Sequence, residues 1–314
     1  MADSATSTIG TAAVAHQRHR RRIRRFSKRD RIVLALMVGI PILLDLAFIW
    51  GPAVATVFLS FTNASGAAPV KAVGSDNYHF MTHVDPEFWP AVRHNIIWLL
   101  VFLVIATPFG MLLAVVLDRG MRGTRVYQSI FFLPVMLSLA LIGIIWQLVY
   151  TPDGGLLDGL LGQGRHGTTD LIGNPHTAIW AVLAEATWRQ SGYVMVLYLA
   201  GLKAVDPALR EAAAIDGANA WQTFWRVVFP ALRPINIVIA VVTVIESLRA
   251  FDLVFITNGG NNGLELLSAM ITQQITGPGN RIGYGSALGV VLLVISLVPI
   301  TFFLAQQFRK EKQP

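Results

Sequence analysis

The sequence predicts an all-α membrane protein with six transmembrane helices and a cytoplasmic helical loop between the fourth and the fifth. Of its 314 residues, 54% are hydrophobic and only 14% are charged, and the mean hydropathy is +0.56. A soluble domain carries about 25% charged residues, so this composition is typical of a chain that lies in a bilayer. The apolar residues fall in six runs, and each can cross a hydrocarbon core of about 30 Å as a helix.

The six runs predict one membrane domain, residues 32–307, between a basic segment, 1–31, and a short tail, 308–314. Helices are favoured over other spanning structures because the backbone groups of a helix satisfy one another without water. The predicted spans are 32–61, 92–117, 126–149, 178–202, 233–257 and 284–307.

The first run is longer than a membrane crossing needs. It contains Pro41 and the pair Gly51-Pro52, which predict a kink, with the helix extending outward through Phe61. Asp45 lies within this run and has no evident partner in the sequence.

The positions of lysine and arginine orient the chain. With the N-terminus inside, and with Arg93 and Arg233 at the span ends counted with the adjoining loops, the cytoplasmic segments hold 19 of the 25 Lys and Arg residues and the outer loops hold four. Nine lie in residues 1–31, which we interpret as a lipid-facing anchor beside the first span rather than a nucleic-acid-binding segment. This bias predicts a multi-pass membrane protein with both termini in the cytoplasm.

The cytoplasmic loop, about residues 203–232, is the polar interruption between the fourth and fifth spans. Asp206 and Pro207 predict the N-cap and first residue of a short helix, and Gly217 predicts a turn before a second one. Aromatic and aliphatic residues at helical spacing give that second helix an apolar face. The pattern alone leaves two interpretations open: a hairpin lying on the membrane or on the chain's own helices, or a docking element for another protein.

The spacing in this loop resembles the EAA loop of binding-protein-dependent ABC importer permeases. The match begins at Glu211-Ala-Ala, continues through Asp216-Gly-Ala and ends at Pro230 and Pro234. Other short matches occur in the order found in permeases of carbohydrate importers related to the maltose system. They are Gly74, Asn77, Tyr78, Asp85, Phe88, Trp89, Asn95, Phe251, Asp252, Thr257, Gly260, Gly283 and Ala287.

The resemblance implies a permease subunit of the bacterial cytoplasmic (inner) membrane that moves a sugar, most simply a di- or oligosaccharide, into the cell by alternating access. The sequence contains no G-x4-G-K-[ST] motif, so we expect no enzyme activity here and no cofactor on this chain, with ATP and Mg bound by partner subunits. The implied partners are a second and different permease, two cytoplasmic ATPase subunits, an extracytoplasmic solute-binding protein, the sugar and membrane lipid. No metal and no nucleic acid is expected. By position, the ATPase-coupling residues are Glu211, Ala212, Ala213, Asp216, Gly217 and Ala218.

Charged and aromatic residues within the fourth and fifth spans are candidates for the solute path. A charge at mid-bilayer costs about 2.5–3.5 kcal/mol, so it faces a cavity or a partner. Glu185 with Arg189, and Glu246 with Arg249 and Asp252, have spacings that place each set on one helix face. Ion pairing between helices would explain the same residues. The predicted path residues are Trp188, Gln190, Tyr193, Glu246 and Arg249.

Three further residues, Asn95, Trp98 and Gln147, are weaker path candidates, because buried amides also link helices to one another. Two rival functions stay open. The same architecture could import a polyol or a glycerol-phosphodiester, with Arg189 and Arg249 serving an anionic group. An ATP-independent carrier or a membrane enzyme is the more distant alternative, because a carrier would need internal repeats and no docking loop.

Overall fold

The computed structural model describes residues 27–66, 69–152, 154–161 and 170–311, and the regular elements in these ranges are helices. The only pairing of extended backbone in the described ranges is an isolated bridge between Thr62 and Ala72. The predicted all-helical fold class is therefore confirmed. Most of the predicted basic segment, 1–26, and the end of the tail, 312–314, lie outside the described residues.

We number the described helices α1 to α13. They are α1 Lys28–Leu59, α2 Asp76–His83, α3 Phe88–Asp118, α4 Thr124–Met136, α5 Leu139–Tyr150, α6 Leu156–Leu161, α7 Ala178–Ala204, α8 Pro207–Ile215, α9 Ala220–Ala231, α10 Arg233–Leu248, α11 Asp252–Asn258, α12 Leu267–Thr276 and α13 Ile282–Glu311. Residue contacts divide the chain into two compact units, Met1–Pro52 and Ala53–Pro314.

Three described helices, α1, α3 and α13, are long and apolar enough to cross a membrane individually. Three further crossings arise only if each of three bent helix pairs counts as one span. The pairs are α4 with α5, bent by 100°, α7 with α8, bent by 71°, and α9 with the α10–α11 segment, bent by 72°. By length and composition, the described residues therefore supply between three and six spans.

In α1, the predicted irregularity takes the form of a π-helical turn, Leu46–Trp50, immediately before the Gly51-Pro52 pair. Proline has no N–H to donate to the preceding turn, and a π-helical turn is one of the recognised ways in which a long helix absorbs such an interruption. The helix ends at Leu59, two residues before the predicted end at Phe61.

The third and fifth predicted spans are broken rather than continuous, which corrects the prediction. The third breaks between α4 and α5, where the Ser138 hydroxyl accepts the Leu141 N–H at 3.2 Å and starts a new helix. The fifth breaks between α10 and α11, where the Ser268 hydroxyl donates to the freed Ala250 carbonyl at 2.5 Å. At each break a side chain satisfies one of the released backbone groups, which lowers the cost of irregular backbone in a membrane interior.

Buried apolar residues hold the second compact unit together in three clusters. One joins α3, α5, α7 and α11 around Trp98, Ile142 and Leu183. The next joins the last turns of α3 to α7, α9 and α10 around Leu117, Met195 and Leu232. The third joins α2 and the start of α3 to α12 and α13 around residues that include Met81, Leu267 and Tyr284. Helix α3 contributes to all three clusters and so connects both ends of this unit.

Candidate functional site

A cavity of about 200 Å³ lies where the α4–α5 and α10–α11 breaks leave side chains facing a common space. Helix breaks in membrane proteins occur where the irregular backbone lines a cavity or is covered by protein. Helices α3, α5, α7, α10 and α11 contribute the wall. Its residues are Trp98, Phe102, Leu139, Ala186, Arg189, Glu246, Arg249, Ala250, Phe251, Asp252 and Leu253.

The charges in the cavity wall balance in number, with two arginines and two carboxylates. Arg189 Nη1 on α7 lies 3.8 Å from Glu246 Oε2 on α10, and both side chains are partly exposed. Arg249 and Asp252, at the α10–α11 break, are exposed. The interhelical pairing considered as an alternative at the sequence level is thus present at Arg189 and Glu246. The wall suits a polar, uncharged solute, because it presents donors and acceptors without a large net charge.

Glu185 shares helix α7 with Arg189, but no ion pair between them is present in the described part of the chain. It is 1% exposed, it does not line the cavity, and its Oε1 atom has no hydrogen-bond partner among the described residues. Arg189 instead pairs across to another helix, so spacing along one helix was insufficient to predict the contact.

Two cavity-lining residues carry buried N–H groups that have no acceptor in the described part of the chain. They are the indole Nε1 of Trp98 and the Nε of Arg189. An unpaired buried donor costs about 1–3 kcal/mol, so each of these groups is open to an acceptor from outside the described residues. Trp98, a weak candidate from the sequence, thus becomes the strongest aromatic candidate in this wall.

The five predicted path residues do not all meet in one place. Glu246 and Arg249 line the cavity, whereas Trp188, Gln190 and Tyr193 do not. Trp188 is 38% exposed and packs edge-on against Trp146, with ring centroids 5.9 Å apart. Gln190 is buried, and Tyr193 is half-buried. Their roles stay predictions.

The weaker amide candidates link structural elements, as the alternative interpretation holds. Gln147 Nε2 donates to the carbonyls of Ile256 at 2.7 Å and Thr257 at 3.0 Å, joining α5 to α11. Asn95 Oδ1 accepts the Leu267 N–H at 3.1 Å, joining α3 to α12. Neither residue lines the cavity.

Asp45, for which the sequence offered no partner, has a local one. Its Oδ2 atom accepts the indole N–H of Trp50 at 3.1 Å across the π-helical turn of α1. The spacing of five residues matches a π-helical turn, which brings residues i and i+5 together. The partner was therefore hidden by the assumption of regular α-helix.

The coupling loop, residues 203–232, folds as two short helices, α8 and α9, joined by a glycine turn. The Asp206 carboxylate accepts the Ala208 N–H at 2.9 Å, and Pro207 is the first residue of α8, as predicted. Gly217 has φ = +78° and its N–H donates to the Ala214 carbonyl at 3.1 Å, which ends the helix. Asn219 and Gln222 then form a capping box at the start of α9.

Most of the predicted coupling residues are exposed on this loop. Glu211, Ala212, Asp216 and Gly217 are exposed, Ala218 is half-buried and Ala213 is buried. Two large apolar side chains beside them are also exposed, Ile215 by 86% and Trp221 by 71%. Exposed apolar side chains next to polar ones are typical of protein-binding surfaces. The apolar face predicted for α9 is present as a chain of ring contacts among Trp221, Phe224, Trp225 and Phe229.

One contact of the coupling loop was missed at the sequence level. Arg210 Nη1 donates to Asp118 Oδ2 at 3.0 Å, and Arg210 Nη2 lies 3.4 Å from the Leu202 carbonyl. Arg210 and Asp118 are 92 residues apart in the chain, so no local spacing pattern marks them as partners.

The motif residues between α1 and α3 hold the predicted outer loops in place. Asn77 Nδ2 donates to the carbonyls of Ser60 and Thr62, both at 2.8 Å, and the Tyr284 hydroxyl donates to the Asp85 carboxylate. Burial, and then the nearby carboxylates of Asp85 and Glu265, raises the pKa of Glu87. Among the described residues, no group of three His, Cys, Asp or Glu side chains is placed to hold a metal ion.

Comparison with known proteins identifies the family. Residues 106–312 match the family described as "Binding-protein-dependent transport system inner membrane component". The chain is 32% identical over 273 residues to the osmoprotective compounds uptake permease protein GgtC of Synechocystis, covering 85% of this chain and 95% of that one. It is 31% identical over 314 residues to the diacetylchitobiose uptake system permease protein NgcF of Streptomyces coelicolor, covering 93% and 88%.

The fold also matches a solved structure. A chain in the crystal structure of a bacterial alginate ABC transporter, in complex with alginate pentasaccharide-bound periplasmic protein, superposes with a TM-score of 0.79. The two sequences are 21% identical, and the match covers 91% of this chain and 96% of that one. The family match covers most of the chain and agrees with the helical fold, so the chain belongs to the binding-protein-dependent inner membrane components, the permeases of ABC importers.

Proposed function

We propose that this chain is the permease subunit of an ATP-driven importer that moves a sugar, most simply a di- or oligosaccharide, into the cell by alternating access. The observation that carries the proposal is the cavity wall, in which Trp98 and Phe251 lie beside Glu246 and Arg249. Aromatic rings stack on the C–H faces of sugar rings, and carboxylate and guanidinium groups bond hydroxyls. The name of NgcF, a diacetylchitobiose permease, supports a sugar substrate.

The proposed solute path includes the five residues from the sequence, Trp188, Gln190, Tyr193, Glu246 and Arg249. Two of them, Glu246 and Arg249, are cavity residues, and Trp98 is added for its unpaired indole N–H. We place the other three along the remainder of the path, where a second permease subunit completes the enclosure.

The proposed energy source is a pair of cytoplasmic ATPase subunits that dock on the coupling loop. Glu211, Ala212, Ala213, Asp216, Gly217 and Ala218 form the docking core. ATP and Mg then belong to those subunits, and this chain has no catalytic residue of its own. Both termini are cytoplasmic, and an extracytoplasmic binding protein delivers the solute to the outer loops. The alginate complex, which contains a periplasmic protein, supports this arrangement.

The variant Gly217→Pro tests the coupling assignment, with sugar uptake measured in proteoliposomes that contain the complete complex. Proline fixes φ near −65°, which is incompatible with the value of +78° at Gly217, so we expect the turn to fail and uptake to be abolished. The matched control is Gly74→Pro, since Gly74 also has positive φ, +58°, but lies in the predicted outer loop before α2. Normal uptake by Gly217→Pro, in complexes that still assemble, would show that the coupling assignment is wrong.

A second candidate solute is a polyol or a glycerol-phosphodiester. GgtC is named for osmoprotective compounds, and the cavity wall contains Arg189 and Arg249, which could bond an anionic group. Binding of a panel of neutral sugars, polyols and phosphodiesters to the cognate binding protein distinguishes the two. Co-purification of an ATPase subunit with this chain distinguishes either importer from an ATP-independent carrier, with which no ATPase subunit would co-purify.

A further inference from the structure

The Arg210–Asp118 ion pair joins the coupling loop to a helix that is distant from it in the sequence. Asp118 is the last residue of α3, and Arg210 lies on α8. Their side chains are 14% and 39% exposed, and the contact at 3.0 Å is a hydrogen-bonded ion pair. A hydrogen-bonded ion pair that is partly buried is less screened by solvent, and therefore stronger, than a fully exposed pair.

Arg210 also reaches the end of the helix that precedes the loop. Its Nη2 atom donates to the Leu202 carbonyl at 3.4 Å, in the last turn of α7. The Leu202 side chain packs with Ala114 and Leu117 of α3 in the same buried cluster. One guanidinium therefore connects α8 to the ends of both α3 and α7.

Helix α3 leads from this contact to the cavity. Trp98 and Phe102 line the cavity, and Asp118 lies 20 residues beyond Trp98 on the same helix, a distance of about 30 Å at 1.5 Å per residue. The helix is packed along this length, since its residues enter all three buried clusters. A π-helical turn, Phe102–Ala106, interrupts α3 between the two residues, and the Thr107 hydroxyl donates to the Phe102 carbonyl there at 2.9 Å. The close packing of α3 on both sides of this turn provides a path by which a displacement at Asp118 reaches Trp98.

We propose that Arg210 and Asp118 form the joint through which a movement of the coupling loop is passed to α3 and so to the cavity wall. The proposal rests on the function proposed above. Both are positioning residues that act through α3 and need no contact with the solute. Without the joint, ATPase subunits that dock on α8 would still hydrolyse ATP, but their movement would no longer change the cavity wall.

Charge reversal in the complete importer tests the joint, with sugar uptake and ATP hydrolysis measured on the same proteoliposomes. Arg210→Asp and Asp118→Arg should each lower uptake by about tenfold while ATP hydrolysis falls much less, so that more ATP is spent per sugar. The double reversal restores the opposite charges and should bring uptake back to within about threefold of the parent. Arg122→Asp is the matched control, because Arg122 is exposed nearby and has no ion-pair partner among the described residues.

The possible outcomes separate the joint from the function. Unchanged uptake in both single reversals, or a double reversal that assembles but restores nothing, would refute the joint while leaving a working sugar importer. A parent complex that imports no sugar with ATP would refute the proposed function instead. Should a reversal stop assembly, Asp118→Asn and Arg210→Gln give the same comparison. Each should raise the ATP spent per sugar, and an unchanged ratio in both would count against the joint.

Discussion

The unpaired indole N–H of Trp98 is the residue-scale feature most open to test. Its Nε1 has no acceptor among the described residues, although the side chain is 2% exposed and lines the cavity. Trp98→Phe should lower the Tm of the complex, because the smaller ring leaves a void in the buried cluster around Trp98, although no hydrogen bond within the described part of the chain is lost. The apparent affinity for the sugar, measured from uptake, should fall by about threefold to tenfold, which corresponds to the loss of one neutral hydrogen bond.

Trp146→Phe is the control for Trp98→Phe. The indole N–H of Trp146 is also buried and unpaired in the described part of the chain, but Trp146 does not line the cavity. Phenylalanine keeps a ring against Trp188. Equal losses of affinity in the two variants, measured from the concentration dependence of uptake, would argue against Trp98 as a contact for the solute.

At this scale, the sequence predicted residue types better than it predicted partners. Glu246 and Arg249 were expected in a polar lining, and both are in the cavity wall. Arg189 was expected to share a helix face with Glu185, and its ion-pair partner is Glu246 on a different helix. Spacing along a helix shows which residues share a face. It does not show which other helix packs against that face, because helix packing is not encoded in the periodicity of one segment.

At the scale of elements, helices α4 and α7 pack closely at Gly192. A Cβ atom added there would lie against the Phe131 carbonyl oxygen and 3.2 Å from a methyl group of Val135. Gly192→Ala should destabilise the chain by about 1–3 kcal/mol, because a backbone carbonyl cannot move aside without shifting α4. Thermal unfolding of the purified complex should show a clearly lower Tm.

Gly39→Ala is the matched control for helix packing. Nothing lies within 4 Å of a Cβ added at Gly39, which is also within a helix. Alanine is favoured over glycine in a helix by about 1 kcal/mol, so this variant should keep or raise the Tm. If both variants shifted the Tm in the same direction and by the same amount, close packing of α4 on α7 at Gly192 would not be supported.

Helix boundaries were predictable where a local signal exists and unpredictable where it does not. Asp206, Pro207 and Gly217 mark the ends of α8 by their own chemistry, and the structure agrees. The break between α10 and α11 has no such signal. It depends on Ser268, which bonds the freed Ala250 carbonyl from a segment that is 18 residues away.

For the whole molecule, composition predicted the helical membrane fold, and the positions of Lys and Arg predict its orientation. The chain has no cysteine, so single cysteines can be introduced as unique labels. Ile215, on the coupling loop, is 86% exposed, and Val70, in the predicted outer loop before α2, is 59% exposed. A membrane-impermeant maleimide should label Val70→Cys in right-side-out vesicles and Ile215→Cys only in inside-out vesicles, because the coupling loop is predicted to be cytoplasmic.

The same labels test assembly on the intact molecule. If ATPase subunits dock on the coupling loop, their addition to inside-out vesicles should slow labelling of Ile215→Cys by at least about tenfold, because a docked partner excludes the reagent from the surface it buries. Labelling of Val70→Cys in right-side-out vesicles should not change, which controls for reagent quality and protein amount. Ile215→Cys labelled from outside would overturn the orientation. Labelling from inside without protection would keep the orientation but place the docking surface elsewhere on the cytoplasmic face.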